Sequence, residues 1–430
     1  MAPERSARAP RPASDAPPTG MDRRSFLTRG AVASAGLVSL PALVAACSPA
    51  AQPPATAAPS GPAASAESPA PSIADYGTPN LSTSLKDFEP FVPSDVVGEK
   101  PPVPASFAYF VPAANEYFKG LGDAAALAAT ERGIDYQGLV IDDGDPVRNI
   151  DQMNQAMQKG IGALWIQPAD SVAQAVVIEK AIAEGLCNEF AGNPATIQGM
   201  ADQYDIGYTQ ALATVKWIKE NLGGKATVVN FTLDYIPILV PRHQGATDGL
   251  ATGGPDIKVI EQAAVTTTSD EAFGFASTLL QANPDINVWN LYDDAALGVD
   301  ALLKSKGLDP KTEKIMISGL NGTDAVSQAI LGGDSFIRQA TAFNSNLIGY
   351  AIGQYFADWF EGKQVPQVLQ GRAISLDGPD DVTAFLDLIK DPAETFKKFK
   401  AGDYESYGLA AWGAISYATH MNYTKNGVTG

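Results

Sequence analysis

The sequence predicts an α/β protein built from two doubly wound parallel sheets, and two observations carry this prediction. After residue 103, apolar runs of strand length alternate with segments of helix length, the order expected of repeated strand–helix–strand units. Such units place parallel strands side by side and cover both faces of the sheet with helices. About ten of these units would make a single sheet overlong, so we expect the chain to divide them between two lobes.

The predicted strands are apolar throughout, as expected of strands that are buried on both faces. They cover Ser106–Val111, Ala163–Ile166, Ala226–Phe231, Val288–Leu291 and Ile315–Ile317. The predicted helices cover Val147–Lys159, Val172–Glu184, Thr209–Asn221 and Ala295–Lys306. A glycine, the usual residue where a helix ends in the left-handed conformation, follows each helix directly or after one residue. These glycines are Gly160, Gly185, Gly223 and Gly307.

Residues 1–47 predict export and lipid attachment. Arg23-Arg24 and the Ser-Phe-Leu that follows resemble the twin-arginine export signal. The next apolar stretch is rich in Ala and Gly and is too short for a comfortable membrane span. It ends in Val-Ala-Ala-Cys47, which resembles the lipobox of bacterial lipoproteins, so Cys47 is the predicted lipid attachment site. Met1 and Met21 both remain candidate start residues.

Residues 48–102 are predicted to form a tether and an N-terminal wrap. In residues 48–72, 23 of 25 residues are Ala, Pro, Ser, Thr or Gly, so this stretch cannot build a core and its prolines keep it extended. Residues 73–102 combine prolines with aromatic residues, and we expect them to pack on the folded body. The tether would join the lipidated cysteine to that body.

Composition argues against several classes of function. The formal net charge is −18, which disfavours nucleic acids and anionic lipid surfaces as partners. Two cysteines, Cys47 and Cys187, and two histidines, His243 and His420, offer no pair with metal-ligand spacing. Neither a G-x-S-x-G motif nor a P-loop occurs. We therefore expect no metal, no cofactor and no Ser–His–Asp hydrolase, while carboxylate-only chemistry stays open.

The predicted sheets nominate a set of ligand-binding residues. In doubly wound sheets, ligands bind outside the carboxyl ends of the strands. The polar and aromatic residues that follow the strands of the first half are Asn115, Tyr117, Phe118, Gln167, Asp170 and Asn193. Those that follow the strands of the second half are Arg242, Tyr292, Asp293 and Asn321.

Five short motifs at these places, in order across the chain, resemble those of the type 1 periplasmic binding proteins, in particular the ribose- and galactose-binding receptors of sugar transporters. Residues 115–118 resemble the family's N-P-F-F, residues 167–171 its N-P-x-D-S, and residues 241–245 its E-R-x-x-G. Residues 292–298 resemble N-D-x-x-A-L-G, and residues 318–322 resemble G-F-D-G.

The resemblance implies two lobes joined by three crossings, with a sugar in the cleft between them. The N-terminal lobe would span 103–206 with 343–372, and the C-terminal lobe 207–342. An extension over 373–430 would dock on a lobe or close over the hinge. Aromatic side chains would stack on the sugar ring and polar ones would bracket its hydroxyls, because a pyranose has apolar C–H faces and a polar rim.

The chain departs from the family pattern within the predicted cleft. Gly192-Asn193 stand where the family often has Asp-Arg, Tyr292 replaces an Asn, and Asn321 replaces an Asp. Phe343 aligns with a position near the last crossing that often holds a polar amide, and it joins the predicted ligand-binding set. The pocket thus loses a cation and a carboxylate and gains aromatic surface, which favours a hexose, a deoxysugar or a cyclic polyol over ribose.

Other roles remain open for some of these residues. Tyr117 and Phe118 would alternatively form the hydrophobic face of the first helix. Arg242 would alternatively brace a local carboxylate such as Asp234, and Asp293 would cap the helix that follows it.

Two polar residues, Asn188 and Glu189, stand where a buried strand should be aliphatic. Either Glu189 faces an amino group on the ligand, or the strand is shorter than the pattern suggests.

The leading functional prediction is a monomeric, lipid-anchored receptor on the extracytoplasmic face of the cell membrane. It would capture a monosaccharide or related polyol and deliver it to the membrane permease of an ABC-type importer. A sugar sensor that serves a chemoreceptor or kinase is the first alternative, because the same fold suits both clients. A secreted carbohydrate-active enzyme that uses two acids such as Glu189 and Asp293 is the second.

Overall fold

The computed structural model describes residues 89–420, except residues 169, 193, 202, 265–266 and 401–406. The predicted export signal, the lipid attachment site Cys47, residues 48–88 and the predicted ligand residue Asn193 therefore lie outside the described part of the chain. Within that part, two sheets of mainly parallel strands are each packed with helices, which confirms the predicted fold class.

The first sheet belongs to the N-terminal lobe, and strands are numbered along the chain. Its strands are β1 (Ser106–Val111), β2 (Asp135–Ile141), β3 (Ala163–Ile166), β4 (Cys187–Phe190), β5 (Ile197–Ala201), β11 (Val368–Gly371) and β13 (Leu409–Trp412). They lie in the order β13-β11-β5-β4-β3-β1-β2, and β13 is antiparallel to β11 while the other pairs are parallel. Phe107 and Tyr109 pack into one core and Ala108 and Phe110 into another, so this sheet is buried on both faces.

The second sheet belongs to the C-terminal lobe. Its strands are β6 (Ala226–Thr232), β7 (Ile257–Ala263), β8 (Val288–Asn290), β9 (Met316–Asn321), β10 (Ile337–Ala342) and β12 (Ile374–Leu376). They lie in the order β12-β10-β9-β8-β6-β7, and β12 is antiparallel to β10 while the other pairs are parallel. Val229 and Val228 pack into different cores on the two faces.

Helices cover both sheets. Those that pack on the first sheet are α1 (Glu116–Arg132), α2 (Pro146–Gln158), α3 (Ser171–Ala183), α9 (Ser345–Phe360) and α11 (Pro392–Lys400). Those that pack on the second sheet are α4 (Gln203–Leu222), α5 (Val240–Ala251), α6 (Ser269–Ala282), α7 (Asp293–Ser305), α8 (Asp324–Gly332) and α10 (Pro379–Ile389). Helices α2, α3, α4 and α7 run to glycines with positive φ, as predicted: Gly160, Gly185, Gly223 and Gly307.

The chain passes between the two sheets at three places before helix α10. It crosses between β5 and α4, between β10 and α9, and between β11 and β12. The expected boundary at residue 206 falls inside α4, because Ile206 is already buried within that helix. The second lobe therefore begins at Gln203, and β12 extends its sheet.

The C-terminal extension packs on both lobes. Val382 and Phe385 of α10 are buried in the core of the second lobe, whereas Phe396 and Phe399 of α11 are buried in that of the first. The extension thus crosses a fourth time and ends as edge strand β13. An N-terminal segment covers the outer side of β13, where the Phe91 amide donates to the Ala411 carbonyl over 2.8 Å.

None of the helices in the described ranges has both the length and the hydropathy that a membrane crossing needs.

Candidate functional site

A cavity of about 530 Å³ opens between the two lobes, at the carboxyl ends of the strands. Its wall on the first lobe includes the segments after β1, β2 and β3, and its wall on the second lobe includes those after β6, β7, β8 and β9. The volume lies in the range of roughly 300–1,000 Å³ that is typical of small-molecule sites. The cavity thus lies at the carboxyl edge of each sheet, where the rule for doubly wound sheets places a ligand.

Most of the predicted ligand residues meet at this cavity. Those that line it are Asn115, Tyr117, Phe118, Gln167, Arg242, Tyr292, Asn321 and Phe343. Asp170 and Asp293 lie elsewhere, and Asn193 is outside the described residues. Contact with a ligand stays a prediction for all of them.

The start of α1 carries the aromatic part of the wall. The side-chain oxygen of Asn115 accepts a hydrogen bond from the Phe118 amide over 3.0 Å and so caps the helix. This cap holds the rings of Tyr117 and Phe118 at the cavity, with their centroids 5.3 Å apart. Phe343 lies at the crossing between β10 and α9, and its ring centroid is 6.3 Å from that of Tyr117. Burial raises the pKa of Tyr117 to about 12, so its phenol stays neutral.

Asp170 has a structural position in place of the predicted one. It is the N-cap residue of α3, and its Oδ1 accepts hydrogen bonds from the amides of Val172 and Ala173 at 3.0 Å each. The carboxylate satisfies two amides that the first turn of a helix leaves free. This use turns the side chain towards its own helix and away from the cavity wall.

Asp293 lies outside the cavity wall and is not the cap residue of the helix that follows it. It is the first residue of α7, whose N-cap is Tyr292, and it is 1% exposed. Its Oδ2 accepts a hydrogen bond from the Thr323 amide over 2.7 Å and so ties α7 to the start of α8. Burial raises the pKa of its carboxyl to about 7. The side chain thus belongs to the interior of the second lobe.

Arg242 lies on α5 at the cavity wall, held by neutral groups. Its Nε and one terminal nitrogen donate to Oε1 of Gln203 at 2.9 and 2.5 Å, and the other donates to the Tyr292 hydroxyl at 3.1 Å. Its expected alternative partner, Asp234, pairs with His243 at 2.9 Å. No carboxylate among the described residues forms an ion pair with Arg242, so its charge is available to ligand oxygens.

Asn321 ends β9 in an unusual backbone conformation. Its φ of 137° is one that residues other than glycine rarely adopt, and its carbonyl accepts from the Phe343 amide over 3.1 Å. Strained residues of this kind cluster at ligand sites, where the surroundings hold them in place.

Glu189 lines the cavity, at a position where the sequence pattern predicts an aliphatic residue. Strand β4 includes both polar residues, so the shorter-strand interpretation is wrong. Asn188 is bound to Thr196 and is buried away from the cavity, with its Oδ1 accepting from the Thr196 amide over 3.2 Å. Glu189 is 5% exposed, and burial raises the pKa of its carboxyl to about 8.

Other parts of the wall had no local signal in the sequence. Ile348 comes from α9, Leu369 from β11 and Leu409 from β13. These side chains reach the cavity only through long-range packing. The sequence shows that these residues are hydrophobic, but it does not predict that they line the cavity.

Comparison with known proteins finds relatives across the central part of the chain. The sequence model of the periplasmic binding protein domain matches residues 107–364. The D-apiose import binding protein of Paraburkholderia graminis is 26% identical over 231 residues, which are 51% of this chain and 70% of that protein. The protein of the same name from Actinobacillus succinogenes is 28% identical over 240 residues, covering 53% of this chain and 72% of its own.

A solved structure shares the fold. It is a periplasmic solute binding protein of an ABC transporter from Actinobacillus succinogenes, with D-allose bound. It superimposes with a TM-score of 0.57 at 19% identity and covers 65% of this chain and 99% of its own.

Proposed function

Because this chain belongs to the periplasmic binding protein family, as the matched domain shows, we propose that it captures a monosaccharide or related polyol between its lobes for an ABC-type importer. The family is one of substrate-binding proteins and implies work outside the cytoplasm. The relatives named as D-apiose import binding proteins support a sugar ligand and a transporter partner.

The observation that carries the proposal is the composition of the cavity wall. Tyr117, Phe118 and Phe343 offer aromatic faces, and Asn115 and Gln167 offer amides. A sugar ring has apolar faces and a rim of hydroxyls, so it needs both kinds of surface at once. Arg242 and Asn321 add polar groups from the second lobe.

Ligand binding would hold the two lobes together. A sugar that contacts Tyr117 on the first lobe and Arg242 on the second interacts differently with the closed and open arrangements. Only such a difference in binding free energy shifts the equilibrium towards closure. The closed form would then be the one presented to the permease.

The finer proposal for location is a lipid anchor. Export through the twin-arginine signal would be followed by acylation of Cys47, and two or more acyl chains on one residue give stable anchoring. Residues 48–88 would then link the membrane surface to the lobes.

The positions of the two candidate acids do not favour a catalytic function. Glu189 lines the cavity, whereas Asp293 lies buried against the start of α8. A pair of carboxylates that flanks one ligand bond would have to share a cavity.

A thermal-shift screen over neutral monosaccharides and polyols, followed by calorimetry, tests the proposal. We expect at least one compound to raise the melting temperature and to bind with a dissociation constant of about 1 μM or less, or roughly −8 kcal/mol. If no carbohydrate binds, including amino sugars, the proposed function is wrong.

A further inference from the structure

The first-lobe wall of the cavity contains one buried carboxyl group. Glu189 lines this wall together with Gly199 and the apolar side chains of Ile348, Leu369 and Leu409. Its Oε2 makes no hydrogen bond of normal geometry with the described residues, although the Trp165 side chain is a neighbouring donor that lowers the pKa of the carboxyl somewhat. Leu369 and Leu409 lie beyond residue 364, where the match to the periplasmic binding protein domain ends. Segments that follow the matched region thus contribute to this wall.

The fold holds the Glu189 carboxyl in place. A Cβ atom added at Gly199 on β5 would lie 1.7 Å from Oε1 of Glu189, so the glycine makes room for the carboxyl group. On the other side, Glu189 is in register with Trp165 of β3, whose ring stacks on Tyr109 at 3.5 Å. The carboxyl group thus occupies a fixed place between a packed aromatic pair and a glycine.

The two walls of the cavity differ in charge. Glu189 supplies an acid on the first lobe, and Arg242 supplies a guanidinium on the second lobe whose partners, Gln203 and Tyr292, are uncharged. A buried carboxyl oxygen without a partner costs free energy unless a ligand supplies a donor. Hydroxyls or other oxygens suit the guanidinium.

We propose that the ligand is an amino sugar or an amino cyclitol, whose basic amino group pairs with Glu189 while ring hydroxyls face Arg242. This inference rests on the proposed function and names the ligand class of the same cavity. Leu369 and Leu409 in the same wall favour an amine attached directly to a carbon ring. The aromatic residues near the start of α1 would contact the rest of the ring.

The electrostatics of Glu189 agree with this geometry. Burial raises the pKa of its carboxyl to about 8, and a neighbouring cation favours the ionised form. An ammonium group would therefore form a charge-assisted hydrogen bond, which is roughly twice as strong as one between neutral partners. A neutral hydroxyl in the same place would gain only the weaker bond.

Calorimetry of the full chain with matched sugar pairs tests the inference. The pairs are D-glucosamine with D-glucose, D-galactosamine with D-galactose, and D-mannosamine with D-mannose, which differ only in an amino or hydroxyl group. We expect at least one amino sugar to bind about tenfold or more tightly than its hydroxyl counterpart. Glu189→Gln should remove that preference and weaken the amino sugar by roughly 10- to 100-fold.

Three further variants separate charge from fold. Glu184→Gln, an exposed residue at the end of α3, should leave the preference intact. Glu189→Asp keeps the charge and should retain part of the preference. Gly199→Ala should displace the carboxyl group and act like Glu189→Gln. Melting of each empty variant checks that it has folded.

The possible outcomes are distinct. If no amino sugar of the panel exceeds its counterpart, or if Glu189→Gln keeps the preference, the inference is overturned. Tight binding of a neutral sugar that Glu189→Gln leaves unchanged overturns the inference but supports the proposed function. Failure of every carbohydrate to bind removes both.

Discussion

At the scale of single residues, Arg242 is the side chain of the second lobe from which we expect the largest effect on affinity. Lysine cannot reproduce the planar donors that bind Gln203 and Tyr292 and face the cavity. Arg242→Lys should weaken sugar binding roughly ten- to a hundredfold, because ligand oxygens lose partners at about 1–3 kcal/mol each. Calorimetry measures the loss.

The control is the next residue on the same helix. His243 pairs with Asp234 and Glu261 and does not line the cavity, so His243→Gln should leave the affinity unchanged. If Arg242→Lys lowers the melting temperature of the empty protein while the affinity barely moves, Arg242 is a structural brace and not a ligand contact.

Glu189 makes stability depend on pH. Its carboxyl has a pKa of about 8 in the fold against an ordinary 4.5, so the folded chain holds this proton more tightly than the unfolded chain. The stability that this bound proton contributes is therefore fully present below pH 4.5 and is lost as the pH rises through 8. The Glu189→Gln variant lacks this loss. Between pH 4.5 and 9, its free energy of unfolding should rise relative to that of wild type by up to about 5 kcal/mol.

Urea unfolding of both proteins at pH 5 and pH 9 measures this difference. Glu184→Gln, whose side chain is exposed, should show no comparable gain at either pH. A gap between wild type and Glu189→Gln that is the same at both pH values would show that the carboxyl is not desolvated in solution.

At the scale of elements, β13 is the part of the extension that reaches the cavity. Ala410 lies in the middle of this strand, paired with Gln370 of β11. Proline there removes a strand amide, so Ala410→Pro should cost about 1–3 kcal/mol of stability. It should also weaken ligand binding, because Leu409 would shift in the cavity wall.

Chemical unfolding measures the stability of this variant, and calorimetry measures its affinity for the ligand. Ala414→Pro, exposed and outside the strand, is the matched control and should change neither. Unchanged affinity and stability in Ala410→Pro would mean that β13 does not complete the wall in solution.

The elements that the sequence predicted well are those with a local signal. The bounds of β1 and β3 agree with the predicted strands because each is an apolar run flanked by Pro, Ala, Gly or Gln residues. The helix ends agree to within one residue because glycine marks them. The edge pairing of β13 was not predictable, since it depends on contact with β11 about 40 residues earlier in the chain.

The candidate site shows the same limit. Strand ends nominated Tyr117 and Arg242 correctly as residues of the cavity wall. The carboxylates of Asp170 and Asp293 stand at equally suitable positions, but backbone amides at helix starts bind them instead. A sequence pattern places a carboxylate near an edge, but it cannot decide between a backbone amide and a ligand as its partner.

At the scale of the whole molecule, the proposed anchor depends on Cys47. Cys47→Ala should release the protein from the membrane fraction and leave sugar affinity unchanged, because the lipid site and the cavity would be separate. Fractionation with immunoblotting measures the first effect and calorimetry the second. Cys187→Ala, which changes a buried thiol of the first lobe, is the control and should stay membrane-bound. Equal membrane retention of Cys47→Ala would contradict the lipoprotein prediction.

A sugar that is held between two lobes should draw them together, and the distance between labels on the two lobes measures this movement. Val172→Cys and Asp270→Cys place spin labels on exposed residues at the starts of α3 and α6, on opposite sides of the cavity. A second pair, Val172→Cys and Leu127→Cys, lies within the first lobe. Cys47→Ser is included in both.

Pulsed electron resonance then gives both distance distributions with and without the sugar that calorimetry identifies. We expect saturating sugar to shorten the distance between the lobes and narrow its distribution, and to leave the distance within the first lobe unchanged. An interlobe distance that does not change at saturation, with binding shown by calorimetry on the same labelled protein, would contradict it.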